Sequence, residues 1–181
     1  MKTMDRSVVP TQIRKAFQGR VFTVNIESIT LPRGHHLEAE IVRHPGSVVL
    51  VPVTEAGEIV LVRQYRHAIG RRVWELPAGS LEPAEDPAAA AMRECQEEIG
   101  LIPAMLHPLG SLFPTPGYCD EEMHFFRATH LRAPGPDDVE AQQDEDEDIE
   151  AQPFSIDAIR GMIASGEIID MKTVAALAFL E

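Results

Sequence analysis

The sequence has few of the features that mark secreted, membrane-spanning or disulfide-rich proteins. Its two cysteines, Cys95 and Cys119, stand alone, without the spacing of a metal knuckle or a disulfide framework. The most apolar run, SVVLVPV at residues 47–53, is far too short to cross a bilayer. The start, MKTMDRSVVPTQ, has a positive charge but no apolar run after it, which predicts no signal peptide. We therefore expect a soluble, cytoplasmic protein with no membrane partner.

Basic residues are also scarce. The chain has 16 Lys and Arg against 29 Asp and Glu, a net charge of −13. Residues 137–150, DDVEAQQDEDEDIE, hold nine of the acidic residues and no basic one, so the charge of the remainder is only about −4. No basic footprint for nucleic acid is present. An anionic ligand would therefore need local arginines or a metal ion.

The length of 181 residues corresponds to one domain, or one domain with a small appendage. Helical periodicity predicts a central helix from Pro87 and closing helices at 155–164 and 170–180. Strands on both sides of a central helix, with helices at the end, predict a mixed α/β layered domain. Alternating or β-branched segments predict the strands, which are residues 19–31, 36–44, 47–54, 58–66, 73–79, 107–113, 122–131 and 149–155.

The central helix has clear end signals and an unusual charge pattern. Asp86 is a suitable N-cap before Pro87, and Gly100 is a suitable C-terminal stop. Helical geometry places three glutamates about 120° round from the apolar stripe, where they repel one another. Such a face is either solvated or a site for a divalent cation, which needs oxygen ligands held close together. The stripe is Ala88, Ala91, Met92, Cys95 and Ile99, and the glutamates are Glu94, Glu97 and Glu98.

The spacing around this helix resembles a known signature. Gly79, five residues, Glu85, seven residues and then RECQEEIGL at 93–101 match the motif of Nudix hydrolases, G-x₅-E-x₇-R-E-U-x-E-E-x-G-U, where U is a bulky apolar residue. Cys95 stands where an aliphatic residue is usual, and we expect it to be a core thiol. Seven fixed residues at fixed spacing make a chance match very unlikely.

This resemblance implies a Nudix α/β/α sandwich with a mixed β-sheet, and hydrolysis of a nucleoside diphosphate linked to another moiety. The cofactor it implies is Mg²⁺, or Mn²⁺. The implied metal ligands are Glu94, Glu98, Glu97 (directly or through water) and the carbonyl oxygen of Ala78. Of the motif residues, Glu97, Glu98 and Arg93 are also implied to serve catalysis. Arg93 and Glu85 are implied to pair and hold the loop against the helix, while Gly79 and Gly100 are structural.

The resemblance extends over nearly the whole chain to ADP-ribose pyrophosphatases and related nucleoside-diphosphate-sugar hydrolases. It rests on GRVFTVNIESITLPRG, EIVRHPGSVVLVPV, VRQYRHAIGRRVWELPAGSLE and FPTPGYCDEE. It implies that Arg66 and Glu121 contact substrate and that Pro116 is the subgroup's marker proline. It also implies a water-activating glutamate in the acidic loop, at Glu145 or, next in line, Glu147. From the residues alone, each has an alternative interpretation, PTPG as a simple rigid turn and Arg66 as the partner of a nearby surface carboxylate.

The resemblance further implies two regions, an N-terminal strand region at 1–45 that forms a small antiparallel sheet in a homodimer, and a hydrolase domain at 46–181. The expected reaction splits ADP-ribose into AMP and ribose 5-phosphate. The same chemistry on GDP-mannose or ADP-glucose is the first alternative. A non-catalytic nucleotide-sugar sensor and a structural protein with a solvated acidic helix face are the others.

Overall fold

The computed structural model describes residues 8–136, 138 and 148–180. Within this part of the chain, ten strands form three sheets and three α-helices accompany them. The helices are α1 (Pro87–Ile99), α2 (Ile156–Ser165) and α3 (Met171–Ala176). The strands are β1 (Gln12–Gln18), β2 (Thr23–Thr30), β3 (His36–Arg43), β4 (Ser47–Pro52), β5 (Ile59–Arg66), β6 (Arg71–Glu75), β7 (Ala78–Ser80), β8 (Ile102–Leu112), β9 (Met123–Arg132) and β10 (Glu150–Phe154).

The first sheet is antiparallel, in the order β1-β2-β3. The predicted hairpin of residues 19–31 and 36–44 is confirmed as β2 and β3. Strand β1 was not predicted. All seven of its residues are exposed, so its sequence, QIRKAFQ, lacks the alternation that burial of one face imposes.

The other two sheets have the orders β10-β5-β6 and β7-β4-β9-β8. Strand β4 runs parallel to β9, and the remaining neighbours are antiparallel. The single strand predicted at 73–79 is wrong, because β6 and β7 belong to different sheets. Leu76 and Pro77 make the crossing between them, and proline has no N–H to continue a ladder. The Pro77 carbonyl accepts instead from Leu50 N, at 2.9 Å.

Strand β4 is buried on both faces and forms the middle of the domain. Val49 and Val51 face a core that includes Ile159 of α2 and Ala176 of α3. The alternate residues face a second core with α1 and β9, which contains Val48, Leu50, Ala90, Ala91, Cys95, Phe126 and Ala128. Because helices cover both faces of this strand, the mixed α/β layered architecture predicted from the sequence is confirmed.

Helix α1 spans the predicted residues, with the predicted caps. Asp86 accepts hydrogen bonds from Ala88 N and Ala89 N, Pro87 opens the helix, and Gly100 ends it at φ 68°. The predicted apolar stripe is confirmed in part, because Ala91 and Cys95 are buried and Ala88 and Ile99 pack against the same core, whereas Met92 is exposed. The prediction missed that Glu94 and Glu98 are buried as well, at 8% and 4% exposure. The physical reason is that β7 backbone covers the glutamate side of the helix, which the 3.6-residue pattern does not reveal.

Two other element bounds differ from the sequence predictions. Strand β8 begins at Ile102 rather than 107, and α3 stops at Ala176, where a 3-10 turn continues to Phe179. Among the described residues, no helix is both long enough and apolar enough to span a membrane.

Candidate active site

The centre of the site is a close approach between β7 and α1. A Cβ built on Gly79 would lie 1.9 Å from both Cδ and Oε1 of Glu94, so the carboxylate occupies the place of a side chain at residue 79. One turn later, Glu98 Oε2 accepts a hydrogen bond from Ala78 N at 2.9 Å. Pairing of β7 with β4, with Gly79 opposite Val48, fixes the backbone that both carboxylates meet. Two buried carboxylates are thereby held against the Ala78–Gly79 peptide.

Arg93 connects Glu94 with two further acidic groups, Glu85 and Glu97. Its Nε and Nη2 donate to the two carboxylate oxygens of Glu85, each at 3.0 Å. Its Nη1 donates to Glu94 Oε1 at 2.6 Å and to Glu97 Oε2 at 2.8 Å. The hydrogen bond from Arg93 holds the pKa of Glu85 below its ordinary value, although burial opposes this. The guanidinium therefore offsets the repulsion expected among the carboxylates of this helix.

The donor set matches a hard divalent cation chemically. The groups that the sequence predicts as ligands are all oxygen donors, the carboxylates of Glu94, Glu97 and Glu98 and the carbonyl of Ala78, and Mg²⁺ and Mn²⁺ prefer such ligands. Across residues 8–136, 138 and 148–180, no three His, Cys, Asp or Glu side chains are already grouped to hold an ion. Two of the carboxylates are directed to Arg93 instead. Because the Gly79 cradle already holds Glu94 against the backbone beside Ala78, the residues fit the ion.

Arg66, at the end of β5, lies near enough to Glu98 to interact with its charge. Its Nε and Nη2 donate to the two oxygens of Glu75, at 2.8 and 2.9 Å. The pKa of Arg66 is raised, since burial lowers it but the Glu75 hydrogen bond and the charges of Glu75, Glu98 and Asp170 raise it. Its side chain is 43% exposed. The partner is a buried carboxylate rather than the surface carboxylate considered from the sequence.

The proline-rich loop, residues 114–122, is fastened to the start of β4. Ser47 Oγ donates to Glu121 Oε1 at 2.8 Å. Asp120 accepts from His44 N and from Arg43 Nη1, both at 2.9 Å. Pro116 lines a cavity of about 350 Å³ between this loop and the N-terminal sheet. The structure therefore places Glu121 against Ser47 of β4, whereas Pro116 lines the cavity between the loop and the N-terminal sheet.

Two further sequence predictions concern Cys95 and the acidic loop. Cys95 is fully buried in the core beside α1, and burial raises the pKa of its thiol to about 12, with a further contribution from the charge of Glu98. The core thiol is confirmed. Glu145 and Glu147 lie outside the described residues.

Sequence reasoning missed two charged residues beside Arg66. Glu75 is 2% exposed and Lys172 is 7% exposed, and they form an ion pair. A signal was available, because each is a charge within an apolar segment, VWELP and IDMKTVAALAFL. A charged group in such a segment is buried only when it is paired.

The comparisons with known proteins agree with this arrangement. The family model described as NUDIX domain matches residues 43–177. The chain belongs to the Nudix family. It is 33% identical over 181 residues to a protein named ADP-ribose pyrophosphatase from Bacillus subtilis (strain 168), covering 100% of this chain and 95% of that protein. The family match and the similarity to this relative together identify the chain as a Nudix hydrolase.

Two further relatives differ in name. A methanol dehydrogenase activator from Bacillus methanolicus is 34% identical over 180 residues, 99% of this chain and 95% of the relative. A GDP-mannose pyrophosphatase from Citrobacter koseri (strain ATCC BAA-895 / CDC 4225-83 / SGSC4696) is 33% identical over 147 residues, 76% of this chain and 74% of the relative. Together with the Bacillus subtilis protein, the Citrobacter koseri protein supports nucleotide-sugar hydrolysis by a Nudix enzyme.

The fold has a counterpart among solved structures. A crystal structure of an ADP compounds hydrolase superposes with a TM-score of 0.80, at 20% sequence identity, and the match covers 96% of this chain and 91% of that chain. At this identity the likeness establishes the Nudix fold.

Proposed function

We propose that this Nudix hydrolase cleaves the pyrophosphate of ADP-ribose to give AMP and ribose 5-phosphate, with Mg²⁺ as cofactor and Mn²⁺ as a substitute. The observation that carries the proposal is the seating of Glu94 on Gly79, with Glu98 bonded to Ala78 N one turn away. This brings oxygen donors of a helix and a strand to one place near the partly exposed side chain of Arg66. A metal ion and an arginine both favour cleavage of a pyrophosphate, because each neutralises part of its negative charge.

Each motif residue has a proposed role. Glu94, Glu98, Glu97 and the Ala78 carbonyl would hold the metal, which when bound neutralises the pyrophosphate and lowers the pKa of a water molecule. Arg93 positions the helix carboxylates while Glu85 fixes Arg93 against the preceding loop. Release of Glu94 and Glu97 from Arg93 would accompany metal binding, because one carboxylate cannot serve both cations fully.

Substrate contacts are assigned to three residues outside the motif. Arg66 would bind the pyrophosphate through guanidinium donors that Glu75 does not use, since a guanidinium has five N–H groups. Glu121, held by Ser47 at the start of β4, would contact substrate there, and Pro116 would do so from the cavity between its loop and the N-terminal sheet. Glu145, or Glu147 next in line, would be the general base that activates water.

Three finer statements belong to the same proposal. The protein would act as a homodimer joined through the N-terminal sheet, in the cytoplasm. Apolar residues of this sheet, of its turns and of the segment before it are 38–65% exposed, which is unusual for a surface left in water. They are Val9, Ile13, Phe17, Val21, Phe22 and Leu37.

Two alternatives have support in the relatives. The GDP-mannose pyrophosphatase from Citrobacter koseri favours the same chemistry on GDP-mannose or another sugar nucleotide such as ADP-glucose. The relative named as an activator of a dehydrogenase favours a regulatory binding protein. The second is weaker, because this chain has every charged residue of the hydrolase motif.

Product analysis tests the proposal. ADP-ribose, ADP-glucose, GDP-mannose and a dinucleoside polyphosphate would each be incubated with Mg²⁺, with EDTA, and with the Glu98→Gln variant. The expected result is metal-dependent release of AMP and ribose 5-phosphate from ADP-ribose, lost in the variant. Preferential GDP-mannose turnover would replace the substrate and retain the chemistry. Binding of these compounds without turnover of any of them would overturn the proposed hydrolase activity and favour a regulatory binding protein.

A further inference from the structure

A buried charge cluster lies behind Arg66, on the side away from solvent. The carboxylate of Glu75 is 2% exposed and receives three donors, Nε and Nη2 of Arg66 and Nζ of Lys172. Lys172 comes from α3, 97 residues further along the chain, and is itself 7% exposed. Its Nζ also lies 3.2 Å from Asp170 Oδ1. Two carboxylates and two cations therefore balance in charge.

The charge balance determines what Arg66 offers to an anion. Paired with Glu75 alone, the guanidinium would have its charge cancelled by a neighbouring carboxylate in a poorly solvated place. Lys172 supplies the second positive charge, so Glu75, Asp170, Arg66 and Lys172 together have no net charge, whereas without Lys172 the same groups would place a net charge of −1 beside the substrate-facing end of Arg66. The guanidinium is also held at two points, which fixes the direction of its remaining donors.

The position of Lys172 is itself fixed by local structure. Asp170 caps α3 by accepting from Thr173 N and Thr173 Oγ1, at 3.0 and 2.6 Å. Thr173 Oγ1 in turn accepts from Leu76 N at 2.8 Å, directly after Glu75 in the chain. These bonds attach the first turn of α3 to the end of β6. The backbone of Lys172 is thus fixed beside Glu75, so its buried side chain has less freedom than that of a surface lysine.

We propose that Lys172 is a positioning residue for substrate binding, acting through Glu75 on Arg66. This inference rests on the proposed role of Arg66 in binding the pyrophosphate. Without Lys172, the buried carboxylate of Glu75 has one cation instead of two. It then either draws Arg66 inward and neutralises it, or rotates and releases it. In both cases the guanidinium leaves the place from which it meets the substrate.

Steady-state kinetics on ADP-ribose test the inference in the full-length protein. The Lys172→Met variant keeps the length of the side chain and removes its charge. We expect KM to rise about tenfold with a smaller change in kcat, the size typical of a lost charged hydrogen bond. In an Arg66→Ala background the same substitution should have no further effect, because its target is absent. If Lys172→Met raised KM by the same factor in the wild type and in the Arg66→Ala background, the proposal would be overturned.

Two comparisons separate positioning from a general effect on stability. In a Glu75→Gln background, Lys172→Met should change KM much less than it does in the wild type, because the carboxylate through which Lys172 acts is absent. Ile168→Ala weakens the same core, since Ile168 is 2% exposed and packs beside α3, and it should lower the melting temperature without moving KM. An equal KM rise from Lys172→Met with and without Glu75, or an equal KM rise in Ile168→Ala, would indicate a purely structural role and contradict the proposal.

A spectroscopic measurement keeps the inference distinct from the proposed function. The Arg66 Nε–H signal in a ¹H–¹⁵N spectrum can be assigned by its absence in Arg66→Lys. We expect Lys172→Met to shift or broaden this signal, because its acceptor Glu75 is disturbed. An unchanged signal would overturn the positioning role whether or not the wild type hydrolyses ADP-ribose. Failure of the wild type to hydrolyse any sugar nucleotide would overturn the proposed function alone.

Discussion

The carboxylate of Glu94 stands in the space that a side chain on residue 79 would need. A Cβ at Gly79 would lie 1.9 Å from Glu94 Cδ and Oε1, far inside any van der Waals contact. Gly79 has no positive φ, so its role is to leave room and not to provide backbone freedom. Residue 79 therefore has to be glycine because of one neighbouring group, the Glu94 carboxylate.

Gly79→Ala should displace the Glu94 carboxylate while leaving the fold in place. The carboxylate is at the end of a flexible side chain, so it can move, but it then loses its place beside Ala78. We expect kcat/KM to fall at least about tenfold, with activity requiring more Mg²⁺, as for other disturbed metal ligands. Gly161→Ala is the matched control. It lies within α2 with nothing within 4 Å of an added Cβ, and it should leave activity unchanged and stabilise the helix. Normal metal dependence in Gly79→Ala would contradict the cradle.

Arg93→Lys should lose most of the connections that organise the motif. The guanidinium reaches Glu85, Glu94 and Glu97 at once, whereas an ammonium group is a single point charge. We expect a lower melting temperature and a loss of about tenfold or more in kcat/KM. Arg160→Lys is a suitable control, because Arg160 lies on an exposed helix face and, among the described residues, pairs only with Asp157, at 3.5 Å. Equal effects of the two substitutions would exclude a special role for Arg93.

Glu85→Gln should alter the pH dependence of stability. The hydrogen bond from Arg93 lowers the pKa of Glu85 in the folded protein, so its stabilising effect is present above the unfolded-state pKa of a glutamate. The effect is lost as the pH falls through the lowered folded-state value. We therefore expect the wild type to exceed the variant in unfolding free energy near neutral pH, and the difference to narrow in acid. Urea unfolding of both proteins across this range measures it, and a gap that widens in acid would refute the pairing.

The two cysteines should differ sharply in reactivity. Cys95 is fully buried, and burial raises the pKa of its thiol to about 12, so little thiolate forms at neutral pH. Cys119 is partly exposed at the cavity beside the N-terminal sheet. We expect iodoacetamide to modify Cys119 in the native protein and both residues after denaturation, as peptide mass spectrometry would show. Native labelling of Cys95 would contradict its place in the core.

Sequence patterns predicted most elements of the fold, for identifiable reasons. Helix α1 was predicted to the residue because Asp86, Pro87 and Gly100 each act through local chemistry. Strand β1 has no buried face and therefore no pattern. The change of sheet at Pro77 depends on which strand lies alongside, and that information is not local.

The same distinction applies to the site. Spacing alone brought out the glutamates of α1, but their burial depends on the neighbouring β7 backbone, which sequence periodicity does not contain. The Glu75–Lys172 pair joins residues 97 positions apart, so only the folded chain reveals it. Its trace in the sequence was a charge inside each of two apolar segments.

The position of β4 between two cores has a consequence for how this chain folds and unfolds. Alternate residues of one six-residue strand belong to two cores, one with α1 and one with α2 and α3. Neither core can form without it, and its partner β9 arrives some 70 residues later along the chain, with Ser47 opposite Met123. Folding must therefore wait for a distant segment, and we expect slow acquisition of structure. Because the two cores share a strand, loss of either should remove the other, and the domain should unfold in a single cooperative transition.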